Sequence, residues 1–209
     1  TLCEKNVINY SMGLNNDFPQ EDIKEAKRVM LKESEALKVA AKRLDGPSFS
    51  KALNVFLETS HKVVVTGIGK SGHVGKKIAA TLNSTGTPAA FLHPSEAVHG
   101  DLGIHQTGDA VLFLSNSGST PELLFLEPVL RSRKAKIVGL LGKPQSPLGE
   151  KVDVCLDASI EREADNLGIV PTDSFAVASS IGDAIASSLI LRKGFSEIEY
   201  AQTPPPGQL

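Results

Sequence analysis

A chain of 209 residues with 22 Lys and Arg against 24 Asp and Glu has the length of one α/β domain and a net charge of −2 at pH 7, which offers no general attraction to nucleic acid or anionic membrane. Cys3 and Cys155 lie far apart and form no C-x-x-C pair, so a reducing compartment, the cytoplasm, is expected rather than a disulfide scaffold. The opening stretch TLCEKNVINYSMG has no basic head before an apolar run, and no apolar run approaches the roughly 18 residues of a membrane span, so neither export nor membrane insertion is expected.

In chain order, Ile23, Ala26, Val29, Met30, Leu37, Ala40, Ala41 and Leu44 recur at helical spacing among Lys and Glu, which predicts a long amphipathic helix over residues 21–44. Gly46 and Pro47 end it, and Ser48 caps a second helix carrying Phe49, Leu53, Phe56 and Leu57. Residues 1–60 thus form a helical extension packed on a single domain spanning 1–209. Short β-branched or apolar runs then alternate with helical stretches: strands at 62–66, 88–92, 110–114, 136–141 and 152–156, helices at 71–84, 119–132 and 172–193. The last helix carries Phe175, Ala178, Ile181, Ile185 and Leu189 on one face, a core-packing pattern. Alternation of this kind specifies an α/β fold, a doubly wound five-stranded parallel sheet of the flavodoxin-like type with helices on both faces. Ligands of such sheets sit beyond the carboxyl ends of the strands, at a switch in strand order.

Two strand exits resemble each other, VVVTGIGKSG at 63–72 and VLFLSNSGST at 111–120. Gly67, Gly69 and Gly72 fit the G-x-G-x-x-G of dinucleotide loops, but His93 follows the next strand and the first acid is Glu96, beyond the place of a ribose-binding carboxylate. Gly69, Lys70 and Ser71 fit the end of a P-loop, but Val64 stands where its first glycine belongs. What survives is backbone N–H groups at a helix start, with the Ser71 hydroxyl beside them. The second loop offers Ser115, Asn116, Ser117, Ser119 and Thr120 in the same setting. Each set alone is equally a helix cap; two on one sheet edge point to a phosphate, and the missing nucleotide fingerprint points to a phosphosugar.

The segments TGIGKSGHVGKKIAATLNSTGTPAAFLHPSEAVHGDLG, LSNSGSTPEL and EREADNLGIVPTDS resemble the sugar isomerase (SIS) domain of D-arabinose 5-phosphate isomerases, from about residue 30 onward. The resemblance implies reversible conversion of D-ribulose 5-phosphate to D-arabinose 5-phosphate through a cis-enediol, feeding Kdo synthesis for lipopolysaccharide or capsule, with no cofactor required. It assigns Glu163 as the proton-transferring base, although Glu161, Arg162 and Asp165 around it equally suit a solvated acidic loop. Lys70 is placed to stabilise the developing oxyanion or bind phosphate, the alternative being a surface lysine at a helix start, where it opposes the helix dipole. Glu122 matches a sensitive family position and also suits a first-turn glutamate.

His99 corresponds to a substrate-contacting histidine suited to ring opening. His93 corresponds to a zinc-binding position in some relatives, and with His99 and Asp101 it makes a partial zinc set without diagnostic spacing. Gly69, Ser71, Gly72, Gly86, Thr87, Ser115, Asn116, Ser117, Ser119 and Thr120 are the expected substrate contacts. One departure stands out: counted without gaps from Glu163, the family's His-Pro-Gly-Gly histidine falls at Pro204, which cannot titrate. The family commonly appends a CBS pair that this chain lacks, so a regulator, with Kdo or CMP-Kdo as the expected inhibitor, would act within the domain. The resemblance also implies a homo-oligomer, a dimer of dimers. The competing readings are another SIS-class phosphosugar isomerase and a non-catalytic phosphosugar-binding regulatory module.

Overall fold

Val63, Val64 and Val65 are all fully buried, the signature of a strand covered on both faces. The computed structural model describes residues 18–196; Cys3 and Pro204 lie outside them. Five parallel strands, β1 (Val63–Gly67), β2 (Ala89–Leu92), β3 (Ala110–Ser115), β4 (Lys136–Leu141) and β5 (Val154–Asp157), lie in the order β2-β1-β3-β4-β5. Side chains alternate across the sheet. Val63, Val65, Leu112, Leu114, Val138 and Leu140 pack with α1 (Phe18–Arg43), α2 (Gly46–Leu57), α3 (Gly69–Ser84) and α6 (Asp173–Lys193), while Val64, Val111, Phe113, Ile137 and Leu141 pack with α4 (Pro94–Ala97) and α5 (Pro121–Ser132). This is the expected doubly wound α/β sheet.

Its strand order reverses between β1 and β3, so the loops after those two strands flank the switch point. The two strand exits that resemble each other in sequence are therefore the two walls of the crevice.

Three local expectations change. The cap of α2 is Asp45, whose side chain accepts the Ser48 N–H at 2.8 Å, and Gly46 and Pro47 form the first turn; proline fits there because a first-turn N–H has no intrahelical acceptor. The segment after β2 contains α4 and a 3-10 turn, Asp101–Ile104, too short for sequence periodicity to show. On α6 the buried face runs through Val177, Ile181, Ile185, Ala186 and Leu189, while Phe175 is partly exposed and Ala178 half-buried. With 21 residues and mean hydropathy 1.5, α6 has the length and apolarity of a membrane span. In the fold it packs against α3 and α1, which accounts for that composition.

Candidate functional site

Each glycine after β1 answers a different constraint. Gly69 has φ of +58°, the left-handed region that turns the chain from strand into helix. At Gly72 a Cβ would stand 2.7 Å from the Gly67 carbonyl oxygen, so α3 approaches β1 this closely only without a side chain. No side chain caps the first turn of α3, and its N–H groups remain available to an anion.

The loop after β3 is largely self-supporting. Ser115 Oγ lies 2.7 Å from Thr120 Oγ1 and accepts the Gly118 N–H at 3.0 Å, while Ser117 Oγ accepts the Ser119 N–H at 3.2 Å. Gly118, at φ +65°, tucks against Ser146 and the Lys143 carbonyl. Ser115, Ser117 and Thr120 thus hold the loop's shape.

Lys70, Ser71, Ser115 and Asn116 line one pocket together with Val74, Leu114, Leu140, Gly142, Ala158 and, from the far side, Pro171, Ser174, Phe175 and Ala178. Three of the expected contacts, Ser71, Ser115 and Asn116, therefore meet the expected catalytic Lys70, and Gly69 and Gly72 shape the turn that presents Lys70 and Ser71. Ser117, Ser119 and Thr120 belong to the same loop without lining the pocket. Glu122 is exposed in the first turn of α5, where its charge complements the helix dipole. Gly86 and Thr87 are not brought to the pocket. They precede β2, at the amino edge of the sheet, where the Lys193 ammonium donates to the Gly86 carbonyl at 3.0 Å and to Thr87 Oγ1 at 2.8 Å.

His93 and His99 follow β2 at the carboxyl edge. His99 is exposed, and His93 is half-buried with its ring 6.5 Å from that of Phe91. The His93 Nδ1 is buried without a hydrogen-bond partner, but among the described residues no three His, Cys, Asp or Glu side chains gather to hold an ion. The described residues of a single chain do not supply a zinc donor set.

Glu163 is buried, with 8% exposure, and not a solvated acid. Its Oε2 accepts the Thr172 N–H at 2.9 Å, the Thr172 hydroxyl at 3.2 Å and the Ser174 N–H at 3.1 Å, and its Oε1 accepts the Ser174 hydroxyl. It thereby accepts from the start of α6, where Thr172 makes no side-chain cap. Beside it, Asp173 is buried with Oδ1 unpartnered, and burial first, then the Glu163 charge, push its pKa up. The segment 157–166 is fastened from α1: Arg28 donates to the Ala164 carbonyl at 2.6 Å, and Arg43 donates to the Ser159 carbonyl at 2.6 Å and pairs with Asp157 at 2.9 Å.

Sequence reasoning did not single out Ser174, Asp173 or the α1 arginines. Ser174 closes the PTDS end of a quoted segment, and a Thr-Asp-Ser run before an apolar helix is the one signal that could have marked it.

A β2-β1-β3-β4-β5 parallel sheet with paired polar loops at its switch point defines a doubly wound α/β domain with a ligand crevice at the carboxyl ends of its strands. The SIS domain model matches residues 56–188, and the chain belongs to that family. It is 48% identical over 164 residues to an Escherichia coli K12 protein, Arabinose 5-phosphate isomerase GutQ, covering 78% of this chain and 51% of the relative. It is 44% identical over 199 residues to a Pseudomonas aeruginosa protein, Arabinose 5-phosphate isomerase KdsD, covering 95% of this chain and 60% of the relative. The chain thus spans between half and three fifths of the length of these two curated relatives. Among solved structures, an Escherichia coli CFT073 protein in complex with arabinose 5-phosphate superposes with a TM-score of 0.84 at 36% identity, covering 91% of this chain and 100% of that one. The Vibrio vulnificus NanR protein complexed with ManNAc-6P shares the fold, with a TM-score of 0.74 at 21% identity, over 90% of this chain and 68% of that one.

Proposed function

We infer that the chain interconverts D-ribulose 5-phosphate and D-arabinose 5-phosphate. The observation that carries this reading is the pocket in which Lys70 and Ser71 from one loop meet Ser115 and Asn116 from the other, in a chain nearly half identical to proteins of that name. Phosphate binds the uncapped start of α3 with Ser71 beside it. Lys70 supplies positive charge for the enediolate oxygen. Glu163 exchanges the sugar's protons, His99 opens the ring, and Glu122 has a supporting role. The hydrogen atoms that move all come from the sugar and return to it, so the reaction needs no redox cofactor.

The product feeds Kdo formation for lipopolysaccharide or capsule, with Kdo or CMP-Kdo as the inhibitor, in a cytoplasmic dimer of dimers. Exposed apolar side chains support association: Met30 and Leu31 on α1, and Leu167 and Ile169 beside the site.

The test is turnover of D-arabinose 5-phosphate by the purified chain beside Glu163→Gln. The expected result is isomerisation by the wild type and a kcat lower by about 10²- to 10⁴-fold in the variant. Phosphosugar binding without wild-type turnover would overturn the enzyme and leave a binding module.

A further inference from the structure

The Glu163 carboxylate is buried and both its oxygens are turned into the N-terminus of α6. It does not line the pocket; Ser174 does, beside Lys70, Ser71 and Asn116. The Ser174 hydroxyl, on a residue itself 8% exposed, donates to Glu163 Oε1 and so stands between the carboxylate and the space a substrate would fill. The Ser174 N–H is separately bonded to Oε2. One residue thus lines the pocket and holds both carboxylate oxygens, Oε2 through its N–H and Oε1 through its hydroxyl.

We propose that Ser174 is a catalytic residue of this site, a proton relay through which Glu163 acts on the sugar. The proposal rests on the isomerase reading. Ser174 Oγ takes the C2 proton of the open-chain aldose as its own O–H proton passes to Glu163 Oε1. The electron pair of the broken C–H bond forms the enediol double bond, and the carbonyl π pair moves onto its oxygen, where Lys70 meets the charge. The proton of the neighbouring C2 hydroxyl passes to that oxygen, so the charge now lies on the C2 oxygen. Its electron pair closes the ketose carbonyl while the double-bond pair takes, at C1, the proton that Glu163, now a neutral acid, returns through Ser174, and both residues end as they began. No oxidant or further reactant enters. The carboxylate needs no direct path to the sugar: one hydroxyl, held at hydrogen-bond distance, reaches both sides.

A merely structural Ser174 makes different predictions. Removing its hydroxyl leaves Oε2 with the Thr172 and Ser174 N–H donors, so the helix cap persists and only one hydrogen bond to the carboxylate is lost. The experiment is steady-state kinetics with D-arabinose 5-phosphate on the wild type, Ser174→Ala, Ser174→Thr, Glu163→Gln and the Ser174→Ala/Glu163→Gln double variant, with a thermal melt of each.

The expected result is a kcat at least ~10²-fold lower in Ser174→Ala with KM within about threefold. Ser174→Thr, which keeps the hydroxyl, restores most of the rate. The double variant is no slower than the worse single one, because the two groups act as one device. Full kcat in Ser174→Ala, or losses that multiply in the double variant, would overturn the relay while leaving the isomerase standing. A wild type that binds the sugar phosphate without turning it over would overturn both. Should Ser174→Ala melt far below the wild type, the Ser174→Thr rate decides alone: recovery supports the relay, and a rate as low as that of Glu163→Gln in a folded protein overturns it.

Discussion

Two buried aspartates show how opposite electrostatics arise in one fold. Asp173 has no partner for Oδ1 and feels Glu163, so burial and repulsion raise its pKa. Its ionised form is therefore a cost in the folded state: the group favours folding below its unfolded pKa, and that contribution disappears as pH rises through the folded one. Asp173→Asn is expected to raise the denaturant midpoint at neutral pH and to lose the advantage at about pH 4; a midpoint unchanged or lowered at neutral pH would contradict this. Asp109 is the reverse case. Burial alone would raise its pKa, but the Gln106 and Lys62 N–H groups and the Lys62 ammonium, at 2.9 Å, outweigh it and hold the carboxyl low. Its stabilisation is present above the unfolded pKa and is lost as pH falls through the folded one. Asp109→Ala should cost on the order of 3 kcal/mol at neutral pH by chemical denaturation, and a loss below about 1 kcal/mol would show that Lys62 finds an equivalent partner in water.

At the scale of elements, the junction of β1 with α3 tolerates almost no added volume. A Cβ at position 72 meets the Gly67 backbone oxygen at 2.7 Å, and backbone cannot rotate away as a side chain can. Gly72→Ala should cost about 3 kcal/mol in denaturant unfolding and weaken phosphosugar binding, because relief requires α3 to lift away from the strand that aims Lys70. Unaltered stability would mean that the helix shifts freely.

The same elements show what sequence can carry. The five strands are legible because burial on both faces leaves unbroken runs such as Val63 to Val65 and Ile137 to Val138, bounded by loops. The Lys70 and Asn116 loops are legible because glycine and serine clusters immediately follow those runs. Local pattern fails where the deciding interaction is distant or the element is short. Nothing near Glu163 announces that its carboxylate caps a helix nine and eleven residues on. Gly86 and Thr87 precede the strand expected at 88–92, and in an all-parallel sheet that order alone puts them at the amino edge, away from the crevice. Asp45 wins the α2 cap from Ser48 because proline occupies the helix's first turn.

At the scale of the molecule, α1 exposes Ile23, Met30 and Leu31, and the loop it fastens exposes Leu167 and Ile169, each more than half accessible in a single chain. A surface this apolar favours self-association. Light scattering after size exclusion should give a dimer or tetramer, and a monomer at micromolar concentration would remove that part of the proposal.

The bond from Arg28 to the Ala164 carbonyl also sets a timetable. It joins residues 136 positions apart, and contacts so distant in sequence close late because the entropy of the intervening chain must first be lost to other structure. During synthesis α1 leaves the ribosome early, and Arg28 has no acceptor on this loop until some 136 further residues have been added. The segment carrying Glu163 therefore gains its fastening to α1 only after all five strands have been synthesised. A nascent chain cut off before Ala164 would carry the Lys70 loop and an Arg28 still without its distant acceptor, with nothing yet for either to serve.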